Sequence, residues 1–253
     1  MSIITIATDF GTADGFVAAM IGRIKSIAPK TELVEVTHSL KGIVKTNLVI
    51  ERYYSYYPEG TIHLVVVDPT VGSERKPLIG YNGNYYFVGP DNGIFSKAAA
   101  KSKYCDWWDI DVSCLPAGTI SSTFHGRDIF APAAALLAGG KTPNEIGKKI
   151  KAIQTIDLPQ PAVKSKMVVG EVIDIDNFGN LVTNIESTMF TNGMFINLEA
   201  DEGIPIVNTF SDVLPGKPLG YAGSAGYLEI AINMGRADSI FKAIAGKKVM
   251  LIL

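Results

Sequence analysis

Hydrophobic and polar positions along this chain follow two different periods. Ile3-Ile4-Thr5-Ile6-Ala7-Thr8 and His63-Leu64-Val65-Val66-Val67 are short, nearly continuous apolar runs, and each stops at a turn signal. Such runs predict strands buried on both faces, as in a parallel sheet covered by helices. Between them Phe16, Val17, Met20, Ile21, Ile24 and Ile27 recur at helical spacing, and Pro29 closes the segment. Glu32 to Val36 reads as a further strand, and Ile43 to about Tyr57 as a helix ending before Pro58-Glu59-Gly60. Segments 76–81 and 85–88 flank Asn82-Gly83, a hairpin signal. Asn92 to Ala100 and Phe130 to Ala138 read as helices, the second with Pro132 in its first turn and Gly139-Gly140 as its stop.

The pattern changes at Asp157-Leu158-Pro159-Gln160-Pro161, a stiff linker. Beyond it come short, turn-punctuated strands at 166–175, 181–185, 193–198, 204–209, 218–221, 227–232 and 247–252, with one helix near 236–245. The expected architecture is an α/β sandwich with a mainly parallel sheet over residues 1–157. A smaller antiparallel, β-barrel-like domain over residues 163–253 follows it.

The chain's 253 residues, 47% of them apolar, can bury a substantial core, and the net charge of −2 is spread along the sequence. Nucleic acid and anionic membranes both call for a basic face, so neither is expected as a partner. No apolar stretch approaches the roughly 18 to 20 residues of a membrane span, and no signal-peptide pattern opens the chain. Cys105 and Cys114 lack a CxxC spacing and read as two reduced thiols in a cytoplasmic protein.

Both apolar runs end in a carboxylate: Asp9 in Thr8-Asp9-Phe10-Gly11, and Asp68 in Val67-Asp68-Pro69. Ligands of open α/β sheets bind beyond the carboxyl ends of the strands, so the pair predicts an acidic pocket there. An Asp at a strand end also serves simply to turn the chain. Pro69 forces an extended backbone at Asp68 and so aims its side chain. Arg75 lies seven residues on, and His125 precedes a predicted helix in Thr123-Phe124-His125-Gly126-Arg127-Asp128. A carboxylate, a guanidinium and an imidazole can order one water. The carboxylate accepts its proton while the cations limit how basic that carboxylate becomes. His38 and His63 have blander settings, the second inside an apolar strand. Asp176-Asn177-Phe178-Gly179-Asn180, taken alone, is explained better by a turn needing Asn and Gly than by function. Gly220-Tyr221-Ala222-Gly223-Ser224-Ala225-Gly226 lacks the pattern of a phosphate-binding loop.

Taken in order, these blocks resemble the adenosine-forming S-adenosylmethionine hydrolases, relatives of the fluorinating and chlorinating adenosyl enzymes. Gly89-Pro90-Asp91-Asn92-Gly93, Thr183-Asn184 and Ser224-Ala225-Gly226-Tyr227-Leu228-Glu229 extend the resemblance nearly end to end. It implies water attack at the ribose C5′ of S-adenosyl-L-methionine, with no metal or cofactor and with Asp68, Arg75 and His125 as the water-activating trio. It further implies that Asp9 grips the ribose hydroxyls and that Phe210 falls near the pocket wall; as aromatics, Phe10 and Phe210 are suited to sandwich adenine. Asp176, Asn180 and Ser224 match positions contacting the methionine amino group or adenine, and Glu229 and Met234 fall near the remaining wall. The implied assembly is a homotrimer with active sites between subunits. Where the halide-using relatives carry Tyr and Ser, this chain has Asp68 and Gly126, changes that favour water over halide; where they carry an Arg suited to the methionine carboxylate, it has Ala225. Alternative readings are an adenosyl-halide synthase, a non-catalytic adenosine or S-adenosylmethionine sensor, and a metal-dependent phosphohydrolase.

Overall fold

A computed structural model describes residues 2–101, 104–198 and 201–253. The chain divides into two compact units, Met1–Ile156 and Asp157–Leu253. Unit 1 runs β1 (Ile3–Thr8), α1 (Phe16–Ile27), β2 (Glu32–Thr37), α2 (Gly42–Tyr53), β3 (Ile62–Val66), β4 (Pro77–Tyr81), β5 (Tyr86–Pro90), α3 (Ser96–Lys101), β6 (Asp106–Ile110), α4 (Ala131–Ala138) and β7 (Gly147–Ile150). Its seven strands form one sheet in the order β2-β1-β3-β5-β4-β6-β7. The β2-β1-β3-β5 half is parallel, and the β5-β4-β6-β7 half is antiparallel.

The apolar runs sit where their composition puts them, in the middle of the sheet. Ile4 and Ile6 of β1, with Ile62, Leu64 and Val66 of β3, join α1 and α4 in one core cluster. Ala7, Val65 and Val67 face the opposite way, into a second cluster with Ile50, Tyr54, Phe95 and Ala98. Period-two alternation thus feeds two cores from the same strands. From β1 the chain passes to β2 on one side and then to β3 on the other. The topological switch point therefore lies between the carboxyl ends of β1 and β3. Thr8 pairs with Val66, so Asp9 and Asp68 leave the sheet side by side at that point.

Three expectations for this unit need correction. The helix expected from Asn92 begins only at Ser96, because the Asn92 carboxamide donates to Val67 O at 2.8 Å and Gly93 adopts φ +94°. The left-handed region suits glycine and does not continue a helix. The hairpin turns at Gly83-Asn84 rather than Asn82-Gly83, since Asn82 and Tyr85 close it. The helix expected from Phe130 is entered earlier, through a π-helical turn over Gly126–Phe130; such turns concentrate at functional sites.

His63 is fully buried, with Nδ1 at 2.8 Å from Thr5 Oγ1 and Nε2 without a hydrogen-bond partner among the described residues. Tyr53, Tyr54, Tyr57, Tyr85 and Phe87 surround its ring. Burial pushes its pKa down to about 3. The unfolded chain therefore binds a proton at His63 between about pH 6.5 and 3 that the folded chain refuses, so stability falls as pH falls through that window. At pH 5 the loss relative to pH 7 is roughly 2 kcal/mol from this residue. Urea unfolding at pH 7 and pH 5 should show that fall, and His63→Phe should shrink it.

Unit 2 comprises β8 (Ala162–Lys164), β9 (Met167–Ile175), β10 (Leu181–Glu186), β11 (Phe195–Leu198), β12 (Asp201–Pro205), β13 (Pro218–Ala222), β14 (Tyr227–Ile232), α5 (Ala237–Phe241) and β15 (Lys248–Ile252). The strands pair antiparallel in the order β12-β11-β15-β9-β10-β14-β13, with β8 beside β9. Val207 N donates to Gly220 O at 2.9 Å, bringing the two ends of this sheet together into a nearly closed barrel. The strand expected at 204–209 lies earlier, because its partner β11 pairs through Phe195↔Pro205 and Leu198↔Asp201. The helix expected to reach 245 stops at Phe241, where Lys242 turns left-handed with φ +45°. Among the described residues no helix is long and apolar enough to cross a membrane.

Candidate active site

Asp68 follows β3, and the turn behind it, held by Val71 N to Asp68 O and Ser73 N to Thr70 O, returns the chain toward it. Arg75 Nε donates to Asp68 Oδ2 at 2.8 Å, and Nη2 donates to the same oxygen. Both side chains are buried, 4% and 5% exposed. Arg75 also lies over the Phe130 ring, 5.3 Å from its centroid. With Oδ2 occupied by two donors, Oδ1 keeps its capacity to accept: Thr70 Oγ1 reaches it only at 3.4 Å, a weak contact.

His125 begins the π-helical turn and places Nδ1 2.7 Å from Arg75 Nη2. A guanidinium only donates, so Nδ1 accepts and the ring proton sits on Nε2. Burial holds the His125 pKa below its ordinary value, and the Arg75 cation lowers it further, against the pull of Asp68 and Asp128. The imidazole is therefore a neutral donor, and Arg75 is the cation of the trio. Asp128 accepts from Ser121 N at 2.9 Å and from Nε and Nη2 of Arg127, closing the loop that carries His125.

Asp9 stands at the end of β1. Partial burial raises its carboxyl pKa first, and the Asp68 charge adds to that. Phe10 packs edge-on against Phe16 and Phe124, with centroids 6.1 and 5.9 Å away. A Cβ at Gly126 would come within 3.2 Å of the Phe10 ring and of Met20 Sδ. Glycine there lets Phe10 lie against the π-helical turn, and a serine would crowd it. A cavity of about 700 Å³ opens beside Arg75, lined also by Ile43, Pro69, Thr70, Asn92 and Gln154.

In unit 2 the expected residues gather around one that was not expected. Asp176 Oδ1 accepts Phe178 N and Asn180 N, both at 2.8 Å, and Oδ2 accepts Asn180 Nδ2 at 2.9 Å. Asn180 Nδ2 also reaches Tyr221 Oη at 3.3 Å, and Tyr221 Oη donates to Glu229 Oε2 at 2.5 Å. Phe210 packs on the Tyr221 ring at 5.1 Å. Tyr221 thus ties Asn180, Glu229 and Phe210 together. Its signal is the cross-strand pairing Tyr221↔Glu229, which becomes readable only once the register of β13 and β14 is known. Phe178, 75% exposed on the same turn, is a second residue that sequence reasoning passed over. Ser224 sits on the exposed tip of the β13–β14 hairpin, beside Gly223, which packs on Glu229. Met234 is set apart from this group, 86% exposed with φ +56° in the turn beyond the opposite end of the hairpin. Among the described residues, no three His, Cys, Asp or Glu side chains are grouped as metal ligands.

Comparison with known proteins gives this geometry a family. The N-terminal domain model of the SAM hydroxide adenosyltransferases matches residues 4–147, and the C-terminal domain model matches residues 170–250. An (R)-S-adenosyl-L-methionine hydrolase from Salinispora tropica is 34% identical over 97% of this chain and 96% of its own. A fluorinase from an Actinoplanes species is 25% identical over 91% of each chain. An uncharacterized conserved protein from Thermotoga maritima has the same fold, with a TM-score of 0.92 and 30% identity over the full length of both chains. With both domain models matched in order and most of its length covered, the chain belongs to the SAM hydroxide adenosyltransferase family.

Proposed function

We propose that this protein hydrolyses S-adenosyl-L-methionine to adenosine and L-methionine. The observation that carries the reading is a buried Asp68 with Oδ2 occupied by Arg75 and Oδ1 left to accept, beside a neutral His125. A water between them donates one hydrogen to Asp68 Oδ1 and accepts from His125 Nε2–H, which leaves a lone pair for ribose C5′. As the O–C5′ bond forms, the C5′–S bond breaks and its electron pair stays on sulfur, turning the sulfonium into the neutral thioether of methionine. The water's proton passes to Asp68 and then to solvent. The leaving group is good, so alignment of the water and a modest base suffice, with no metal or other cofactor.

Asp9 accepts the two ribose hydroxyls in this reading, with Phe10 and Phe210 against adenine. Asp176, Asn180, Ser224, Glu229 and Met234 serve the methionine amino group, adenine and the surrounding wall. A carboxylate at position 68 repels a halide, and Gly126 offers it no hydroxyl, which disfavours the adenosyl-halide synthase. A cytoplasmic location and a homotrimer complete the proposal, the second read by light scattering.

The test is incubation with S-adenosylmethionine and EDTA, with and without chloride, followed by chromatography. Equal adenosine and methionine above a no-enzyme control, with no adenosyl chloride, is the expected result. Tight adenosine binding without product would replace hydrolysis by the sensor reading, and activity lost to EDTA would favour a metal enzyme. Asp9→Ala should raise the adenosine Kd by about tenfold or more, the loss of a hydrogen-bonded charged acceptor; calorimetry reads it directly.

A further inference from the structure

We infer that Glu35, His38 and Thr8 form a positioning relay for the turn that carries Asp9 and Phe10. His38 is buried beside the end of β1, and Thr8 is fully buried. Glu35 Oε2 lies 2.9 Å from His38 Nε2, and His38 Nδ1 lies 2.9 Å from Thr8 Oγ1. Thr8 Oγ1 in turn accepts the Phe10 N–H at 3.3 Å. In the neutral ring, Nε2–H donates to the Glu35 carboxylate, which leaves Nδ1 to accept the Thr8 hydroxyl proton. The Thr8 oxygen lone pairs then face the Phe10 amide, a side-chain turn closed two residues on.

The backbone completes the clamp. Gly11 N donates to His38 O at 2.8 Å, and Leu40 N donates to Thr8 O at 3.2 Å. Asp9 is the residue enclosed by the Thr8–Phe10 turn, and the backbone on either side of it, at Thr8 and at Gly11, is tied to Leu40 and His38. A carboxylate that must meet two vicinal hydroxyls at once depends on such fixing. None of the three relay residues needs to touch substrate. Glu35, on the exposed side, orients the ring; His38 transmits that orientation; Thr8 passes it to the Phe10 amide.

This inference rests on Asp9 as a nucleoside-binding residue, and the experiment separates the two. Wild type, His38→Ala, His38→Gln, Thr8→Val and the Thr8→Val/His38→Ala double variant are compared for adenosine affinity by calorimetry and for KM and kcat. Thr8→Val preserves the side-chain shape and keeps the test available should His38→Ala fold poorly. The expected result is about a tenfold rise in adenosine Kd and in KM for Thr8→Val and for His38→Ala, typical of one lost buried hydrogen bond. kcat should stay within about twofold. The double variant should be no worse than either single one, because both break the same chain. His38→Gln, whose carbonyl can accept the Thr8 hydroxyl, should recover most of the affinity. Unchanged Kd and KM in folded single variants, or fully multiplicative losses in the double, would overturn the relay. Wild type that binds adenosine without hydrolysing S-adenosylmethionine would overturn the hydrolase reading and leave the relay tested by Kd alone.

Discussion

Asp68→Asn should lower kcat by about 10²- to 10⁴-fold, the usual worth of a general base, while the adenosine Kd stays within about twofold. The carboxamide keeps the size of the carboxylate. Its oxygen can accept the two Arg75 donors that now converge on Oδ2. The group facing the water is then an NH₂, which donates and cannot take a proton. Losing Asp68 also removes the charge that pulls the His125 pKa upward, so His125 stays neutral and remains a donor. The imidazole cannot substitute as base through Nδ1, because that nitrogen already accepts from Arg75. Stopped assays over hours, beside calorimetric titration with adenosine, separate chemistry from binding. Hydrolysis at the wild-type rate would remove Asp68 from the mechanism.

How much of this was legible in advance depends on whether the information is local. The runs around Ile4 and Leu64 are apolar on both alternating faces, as a strand covered on both faces requires, so the centre of the sheet and the switch point between Asp9 and Asp68 could be read directly. The start and stop of α1 were local too, from periodicity and Pro29. Strand β6 was not seen, because Trp107 and Trp108 are both apolar yet face opposite cores. Strand β7 reads Gly-Lys-Lys-Ile, charged as a sheet edge should be, and resembles a loop. Asn92 gives its amide to Val67, 25 residues away, and no window around 92 reports that. At the site, the trio and its water-ordering chemistry could be singled out from the residue types, and the resemblance supplied the substrate. The protonation state of His125 depends on its burial and on a contact between residues 50 apart, and the geometry replaced two expected cations with one.

Arg75→Met should be the most damaging single change to this cluster. Its cost is about 3–5 kcal/mol of stability, the usual consequence of leaving one member of a buried ion pair without the other. Methionine fills part of the volume and can still lie against Phe130, so the loss reflects charge and hydrogen bonding more than packing. Catalysis should suffer by a separate route. Arg75 lowers the His125 pKa and occupies Nδ1, so removing it lets the ring take a proton at higher pH. Activity in this mechanism needs the neutral ring, because a second proton would let Nδ1 donate toward Asp68 and compete with the water for that carboxylate. Raising the pKa of a group that must be deprotonated moves the acid limb upward: residual activity in Arg75→Met should fall off at higher pH on the acid side than wild type does. Arg75→Lys discriminates further. A point charge restores much of the electrostatic effect on His125 but cannot supply two donors to Oδ2 and a third to Nδ1 from one plane. Its pH profile should therefore return toward wild type while kcat stays low. A lysine variant that restored kcat as well would show that charge alone, and not the guanidinium fork, is what the site requires.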